Sequence, residues 1–245
     1  KYARSKKIWV RTTTNASLLH LNNNYKKLID SGVNEIQISI DGATKEIFQD
    51  IRRGSVFEKV VQNCKLINNY AKKMNKDRTK MWTVVQNKNF HQLHDLVSLA
   101  SDLGFSNQVF SLDLTNWGSK KWDETNSKKK VDNRINLDLI NSLLELGNKK
   151  NIKVRFWNIT KKYSVKKKNL CPWPFDRSYI SSDNKVVPCC MIGNPDSFKI
   201  GEYNSLKDAW NSKEYQKFRE GHINGNLPDV CKFCYENSDD EKNNF

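Results

Sequence analysis

Apolar positions in the first two thirds of the chain switch repeatedly between two rhythms. Residues 8–13, IWVRTT, read as a buried strand, followed by a turn at Asn15-Ala16-Ser17. Leu18, Leu21, Tyr25, Leu28 and Ile29 then recur at helical spacing, predicting a helix over 18–31 that stops at Gly32. Residues 35–40, EIQISI, alternate with period two and are rich in Ile, so they predict a strand ended by Asp41-Gly42. Phe57, Val60, Val61, Cys64 and Ile67 make one stripe of a helix over 55–74, which makes Cys64 a small core residue. A strand at 80–85, a helix at 90–103 closed by Gly104 and a strand at 108–114 continue the alternation. The stretch 116–134 is Lys, Asn, Ser and Asp without a period and reads as a solvated insertion. A helix at 136–149 and a strand at 152–157 complete the series.

Strand and helix taking turns in this way predict an α/β fold with a parallel sheet, either a barrel or a doubly wound sheet. A closed eight-stranded barrel needs more chain than this. The rhythm stops where Lys161-Lys162 and Lys166-Lys167-Lys168 lead into Cys171-Pro172. Beyond that point lie a hairpin-like stretch at 178–187 and an amphipathic helix at 205–219 carrying Leu206, Trp210, Tyr215 and Phe218. The expected division is 1–165, 166–236 and an acidic, frayed tail at 237–245.

Composition changes this picture in two ways. The net charge is +15, from 42 basic and 27 acidic residues, but the basic set is 33 Lys to 9 Arg and comes with 30 Asn. Nucleic-acid readers lean on the planar fork of Arg, so this balance reads first as the codon bias of an AT-rich genome. It leaves an acidic partner open and argues against nucleic acid. No apolar run approaches the roughly 18 residues of a membrane helix and no secretory leader is visible, so the expected setting is cytoplasmic, without a membrane partner.

Five of the six cysteines, Cys171, Cys189, Cys190, Cys231 and Cys234, lie in the last third. In a reducing compartment that clustering reads as metal binding before disulfides. Cys231-x2-Cys234 lets two thiolates reach one centre from a tight turn, a spacing used by zinc and iron–sulfur sites alike. Cys171 and one of the Cys189-Cys190 pair complete four thiolates. The first half, C-x17-C-C, departs from a zinc knuckle, yet spacing alone does not choose between the metals. At the carboxyl ends of the predicted strands stand Asn15, Ser39 and Asp41, with Arg52 and Arg53 in the loop region that follows. Ligands of parallel βα folds bind at that edge. Asp41 suits a ribose hydroxyl and an Arg suits a carboxylate, although Asp41-Gly42 taken alone is an ordinary turn. His91 and His94 read as surface residues. No Ser-His-Asp set, G-x4-G-K-[ST] loop or strand-following G-x-G-x2-G occurs.

Taken together, these segments resemble the radical SAM superfamily in its branch with a C-terminal SPASM or shorter twitch domain. Thr14-Asn15 is similar to the TNG-type turn after a strand, and Ile38-Ser39-Ile40-Asp41-Gly42 to the S-x-D-G segment. IRRGSVFEKV, residues 51–60, is similar to the R-x-G-S-F-E-x-V helix opening. CPWP at 171–174, DNKVVPCC at 183–190, NSLKDAWNS at 204–212 and PDVCKFC at 228–234 are similar to the SPASM hallmarks. The resemblance spans nearly the whole chain and is most specific in the C-terminal part.

It implies a partial (βα)6 TIM-like barrel lacking its first strands, followed by a small SPASM/twitch domain. It implies that Cys171, Cys189, Cys231 and Cys234 ligate one auxiliary 4Fe-4S cluster, with Cys190 the alternative to Cys189. Asn15, Ser39 and Asp41 would line an S-adenosylmethionine site, with Arg52 or Arg53 at the carboxylate. Too few cysteines are present for the two clusters of a full SPASM domain. The defining C-x3-C-x2-C is also absent, since no cysteine precedes Cys64, and the chain starts with Lys. The expectation is a C-terminal fragment, inactive alone, whose second 4Fe-4S cluster belongs to a missing N-terminal part.

The complete enzyme would cleave S-adenosylmethionine reductively and abstract hydrogen from a substrate, which is a peptide, a sugar or a protein side chain. A flavodoxin or ferredoxin would supply the electron, and the auxiliary cluster would serve electron transfer or substrate binding. The alternative is a non-catalytic metal-binding module, either an iron–sulfur electron carrier or a zinc-stabilised adaptor.

Overall fold

The computed structural model describes residues 1–112, 114, 119–131, 134–158 and 162–236. The tail at 237–245 lies outside the described residues, as do Lys161 and several positions of the 116–134 stretch. The chain divides into two compact units. The first takes in Lys1–Leu114 and Lys129–Trp157, the second Thr115–Lys128 and Asn158–Phe245.

In the first unit, α1 (Tyr2–Ser5) precedes β1 (Arg11–Thr14), α2 (Asn24–Asp30), β2 (Glu35–Ser39), α3 (Lys45–Ile51), α4 (Phe57–Lys73), β3 (Thr79–Val84), α5 (Leu93–Asp102), β4 (Asn107–Ser111), α7 (Leu137–Lys149) and β5 (Lys153–Trp157); α6 (Lys120–Ser127) falls in the second unit. All strand pairs are parallel and the order is β1-β2-β3-β4-β5. Each strand lies beside its chain neighbour with no reversal of order. That is the arrangement of a partial TIM-like barrel and not of a doubly wound sheet, whose order turns back at a switch point.

The alternation of β2 sorts its residues by face. Ile36, Ile38 and Ile40 are buried in one core with Cys64 and Ile67 of α4 and with Met81 and Leu96. Beside them, Glu35 gathers Arg11 at 2.8 Å, Lys80, and the Gln37 amide at 3.1 Å. The Trp82 and Trp157 rings lie 5.8 Å apart. Cys64 is fully buried and burial pushes its thiol up to about 12, as a core residue requires.

Several boundaries differ from expectation. The first strand is Arg11–Thr14, while Ile8 and Trp9 are exposed. The helix expected from 18 begins only at Asn24, because Asn22 and Asn23 take left-handed backbone at φ 47° and 56°. Such positions tolerate Asn better than most side chains. Asn75, Asn151 and Asn184 occupy the same region, so part of the Asn content has a backbone role. The 116–134 stretch holds a helix, α6, which its lack of periodicity hid.

In the second unit, α8 (Trp173–Asp176) precedes a three-stranded antiparallel sheet of β6 (Tyr179–Ile180), β7 (Lys185–Val187) and β8 (Gly201–Glu202). The single helix expected at 205–219 is two: α9 (Leu206–Asn211) and α10 (Lys213–Asn224). Ser212 causes the break, with an extended backbone and an Oγ that accepts the Tyr215 N–H at 3.1 Å as the cap of α10. Gly225 ends α10 in left-handed backbone at φ 82°. A last turn, α11 (Asp229–Lys232), carries Cys231. No helix among the described residues is long and apolar enough to cross a membrane.

Candidate functional site

The four predicted thiol ligands all lie in the second unit, at or beside short elements. Cys171 stands just before Pro172, the N-cap of α8; burial raises its thiol against the opposing pull of the Trp173 backbone amide and the Tyr163 hydroxyl. Cys189 follows β7 in extended backbone as the N-cap of a 3-10 turn, and its carbonyl accepts the Ile192 N–H at 3.1 Å. Cys231 is buried inside α11, and the Cys234 N–H donates to its carbonyl at 3.2 Å.

Burial raises the Cys231 thiol, and the neighbouring Cys189, Cys171 and Cys234 raise it further. Burial likewise pushes Cys189 up to about 11 and lifts Cys171. Cys231 thus feels the other three predicted ligands electrostatically. Cys190 is exposed, and its charge adds to the rise at Cys189. Among the described residues, no three His, Cys, Asp or Glu side chains converge tightly enough for a single metal ion. The donor set is all sulfur, and buried thiols of this kind give up protons when they bind metal.

Sequence reasoning missed the residues that hold Cys171. Its backbone N–H donates to Tyr235 Oη at 2.8 Å, and that oxygen lies 2.8 Å from His222 Nδ1. Tyr235 follows the C-x2-C directly, but no spacing rule marks His222, which is nearly fully buried at 1% exposure.

In the first unit the strand ends carry the other predicted residues. Asn15 is exposed, and its Oδ1 accepts the Ser17 N–H at 3.1 Å. Ser39 is half-buried at the end of β2. Asp41 is buried: Oδ1 accepts the Val84 N–H at 2.8 Å and Oδ2 meets Arg52 Nη2 at 2.7 Å. Burial raises the Asp41 pKa against the opposing pull of Arg52 and the Val84 amide. Arg52 Nε is buried without a hydrogen-bond partner among the described residues, and Arg53 is exposed. Gly42 is more than a turn residue, because a Cβ there would lie 2.3 Å from the Phe48 amide nitrogen in α3. His91 and His94 are exposed, as expected.

Residues 171–235 match the SPASM family, described as an iron–sulfur cluster-binding domain. No curated protein matches the chain. Solved structures do. SuiB of Streptococcus suis bound to precursor peptide SuiA is 14% identical, with a TM-score of 0.60 over 89% of this chain and 51% of that one. Native anSMEcpe with bound AdoMet is 13% identical, with a TM-score of 0.57 over 93% and 64%. Its complex with AdoMet and the Kp18Cys peptide is 14% identical, with a TM-score of 0.56 over 93% and 65%. The chain therefore spans about half to two thirds of these proteins, 51% to 65% of their lengths. The chain thus carries a segment, residues 171–235, that matches the SPASM family, and it shares the fold of these structures.

Proposed function

We propose that the chain is part of a radical SAM enzyme that modifies a peptide, with one auxiliary 4Fe-4S cluster on Cys171, Cys189, Cys231 and Cys234. The observation that carries this reading is the match of residues 171–235, which hold all four cysteines, to the SPASM iron–sulfur family. The peptide substrate follows the peptide-bound neighbours.

S-adenosylmethionine, cleaved reductively at a cluster outside this chain, would supply a 5′-deoxyadenosyl radical that takes hydrogen from the substrate. The chain's own residues bind and orient. Asn15 keeps its carbonyl in the turn and offers its amide, and Ser39 offers a hydroxyl beside it along the sheet edge. Asp41 holds Arg52, whose Nε is an open donor for the cofactor's carboxylate, with exposed Arg53 as the second candidate. In the second unit, the backbone amides of Trp173, Met191 and Ile192 pull against the burial that raises Cys171 and Cys189, favouring negative charge on those sulfurs.

The test is iron, sulfide and zinc content with an absorption spectrum on protein purified without oxygen. About four irons and four sulfides per chain are expected. One zinc without iron would overturn the reading in favour of a zinc-stabilised module.

A further inference from the structure

One face of the parallel sheet packs into the core with the helices, and the opposite face carries a different chemistry. On β5, Val154 belongs to the core and Phe156 packs against it, stacked on Phe110 at 5.8 Å. Side chains alternate along a strand, so Arg155 and Trp157 stand on the opposite face. The same alternation puts Met81 of β3 in the core and Trp82 on that opposite face. The parallel register then sets Ser39, Trp82, Val109 and Arg155 in one row from β2 to β5. The Trp82 and Trp157 rings lean toward each other across β4, with centroids 5.8 Å apart. Val109, on β4 between them, is 6% exposed although it lies outside the helix-packed core.

Charge on this face is balanced everywhere but at β5. Glu35 is paired with both Arg11 and Lys80, and Asp41 is paired with Arg52. Arg155 is exposed and has no hydrogen-bond or ion-pair partner among the described residues. Lys153, two positions earlier on the same face, is exposed as well and adds to the positive field. A guanidinium presents a planar fork that fits a carboxylate through two parallel bonds. Beside it the half-buried tryptophans offer an apolar shelf. Trp and Arg anchors of this kind dominate the energetics of recognition surfaces.

We propose that this face takes a carboxylate of the substrate peptide, with the charge on Arg155 and the adjoining methylenes across Trp82 and Trp157. The proposal rests on the peptide reading above and adds the chemical class of group that is recognised. The row begins at Ser39, a residue of the cofactor site in that reading, so a group seated on Trp82 lies beside the cofactor. Ligands of parallel βα folds gather at this end of the strands.

The experiment titrates the full chain with acetylated pentapeptides: Gly-Ala-Glu-Ala-Gly amide, its Gln counterpart as the amide, and the Gln counterpart with a free C-terminus. Butyrate is a further probe, equivalent to a Glu side chain without a peptide. Binding is read by quenching of tryptophan emission and by saturation-transfer NMR of the probe. The Glu amide or the free C-terminus is expected to bind about tenfold tighter than the Gln amide, as a charge-assisted bond implies. Whichever gains shows which carboxylate is taken. Arg155→Gln should abolish the gain, and Arg155→Lys should keep only part of it, since an ammonium lacks the fork. Trp157→Leu should weaken all the peptides alike. Equal binding of the peptides by the parent chain would overturn the carboxylate site and leave the peptide reading standing, and a gain that survives Arg155→Gln would do the same. Release of the bound peptide by S-adenosylmethionine would hand Arg155 to the cofactor and overturn the proposal, as would no binding of any probe. Butyrate bound where no peptide binds would instead refute the peptide reading and leave the carboxylate site in place.

Discussion

The buried pair of Asp41 and Arg52 makes a sharp quantitative test of the sheet edge. Asp41→Ala removes the acceptor of the Val84 N–H and the partner of Arg52. An unpaired buried amide costs about 1–3 kcal/mol, and breaking a buried ion pair from one side costs about 3–5 kcal/mol in all. The Arg52 side chain keeps 24% of its exposure, which screens the pair and favours the lower end of that range. Asp41→Asn behaves differently, because its carbonyl still accepts from Val84. Burial already disfavours the Asp41 charge, so losing that charge should cost only about 1 kcal/mol.

The pH sign follows from the same shift. The folded pKa lies above the ordinary 3.8, so as pH falls through the folded value the native state takes up a proton before the unfolded chain does. Within that window parent stability gains relative to Asp41→Asn, and the gain is complete below the unfolded value. Urea unfolding followed by tryptophan fluorescence measures the energies, and amide exchange across β3 reads Val84 directly. Equal costs for Ala and Asn, or unchanged Val84 exchange in Asp41→Ala, would refute the reasoning.

Other outcomes follow from the same geometry. Cys231→Ala and Cys234→Ala should each lose the bound iron, whereas Cys190→Ala and Cys64→Ala should keep it; elemental analysis decides, and iron retained in the first two removes them as ligands. Gly42→Ala forces a methyl to within 2.3 Å of the Phe48 nitrogen and should cost about 3 kcal/mol, visible as a lowered Tm; an unchanged Tm would show that α3 shifts freely. His222 titrates near 6.5 when unfolded and is pushed down to about 4 by burial when folded. Stability should therefore fall by about 2–3 kcal/mol as pH drops through that interval, and a His222→Gln chain with the same slope in its urea midpoints would contradict this.

Much of the sheet was legible because period-two and helical stripes are local. Ile36, Ile38 and Ile40 announced β2 and its buried face. The breaks were not legible in the same way. A serine that reads as an ordinary helix residue splits α9 from α10 only once its hydroxyl finds the Tyr215 amide. Two asparagines delay α2 by turning left-handed, a choice the hydrophobic stripe does not record. The four cysteines could be chosen by motif, and of the 189/190 pair Cys189 is the less exposed. Tyr163, Tyr235 and His222 carried no such mark, since their importance lies in contacts between segments far apart in the chain. Arg52 was picked for its charge, but its engagement with Asp41 required the fold.

The strand order carries a consequence for biosynthesis. In β1-β2-β3-β4-β5 every strand pairs with the one made just before it, so the sheet can grow on the ribosome as each βα unit emerges. The thiol cage has no such route. Its first sulfur is at 171 and its last at 234, and the tyrosine that anchors Cys171 comes at 235. Until that final stretch is synthesised, the early cysteines have no complete cage to offer. On the four-cysteine reading, metal is taken up late, only after the sheet has had time to form.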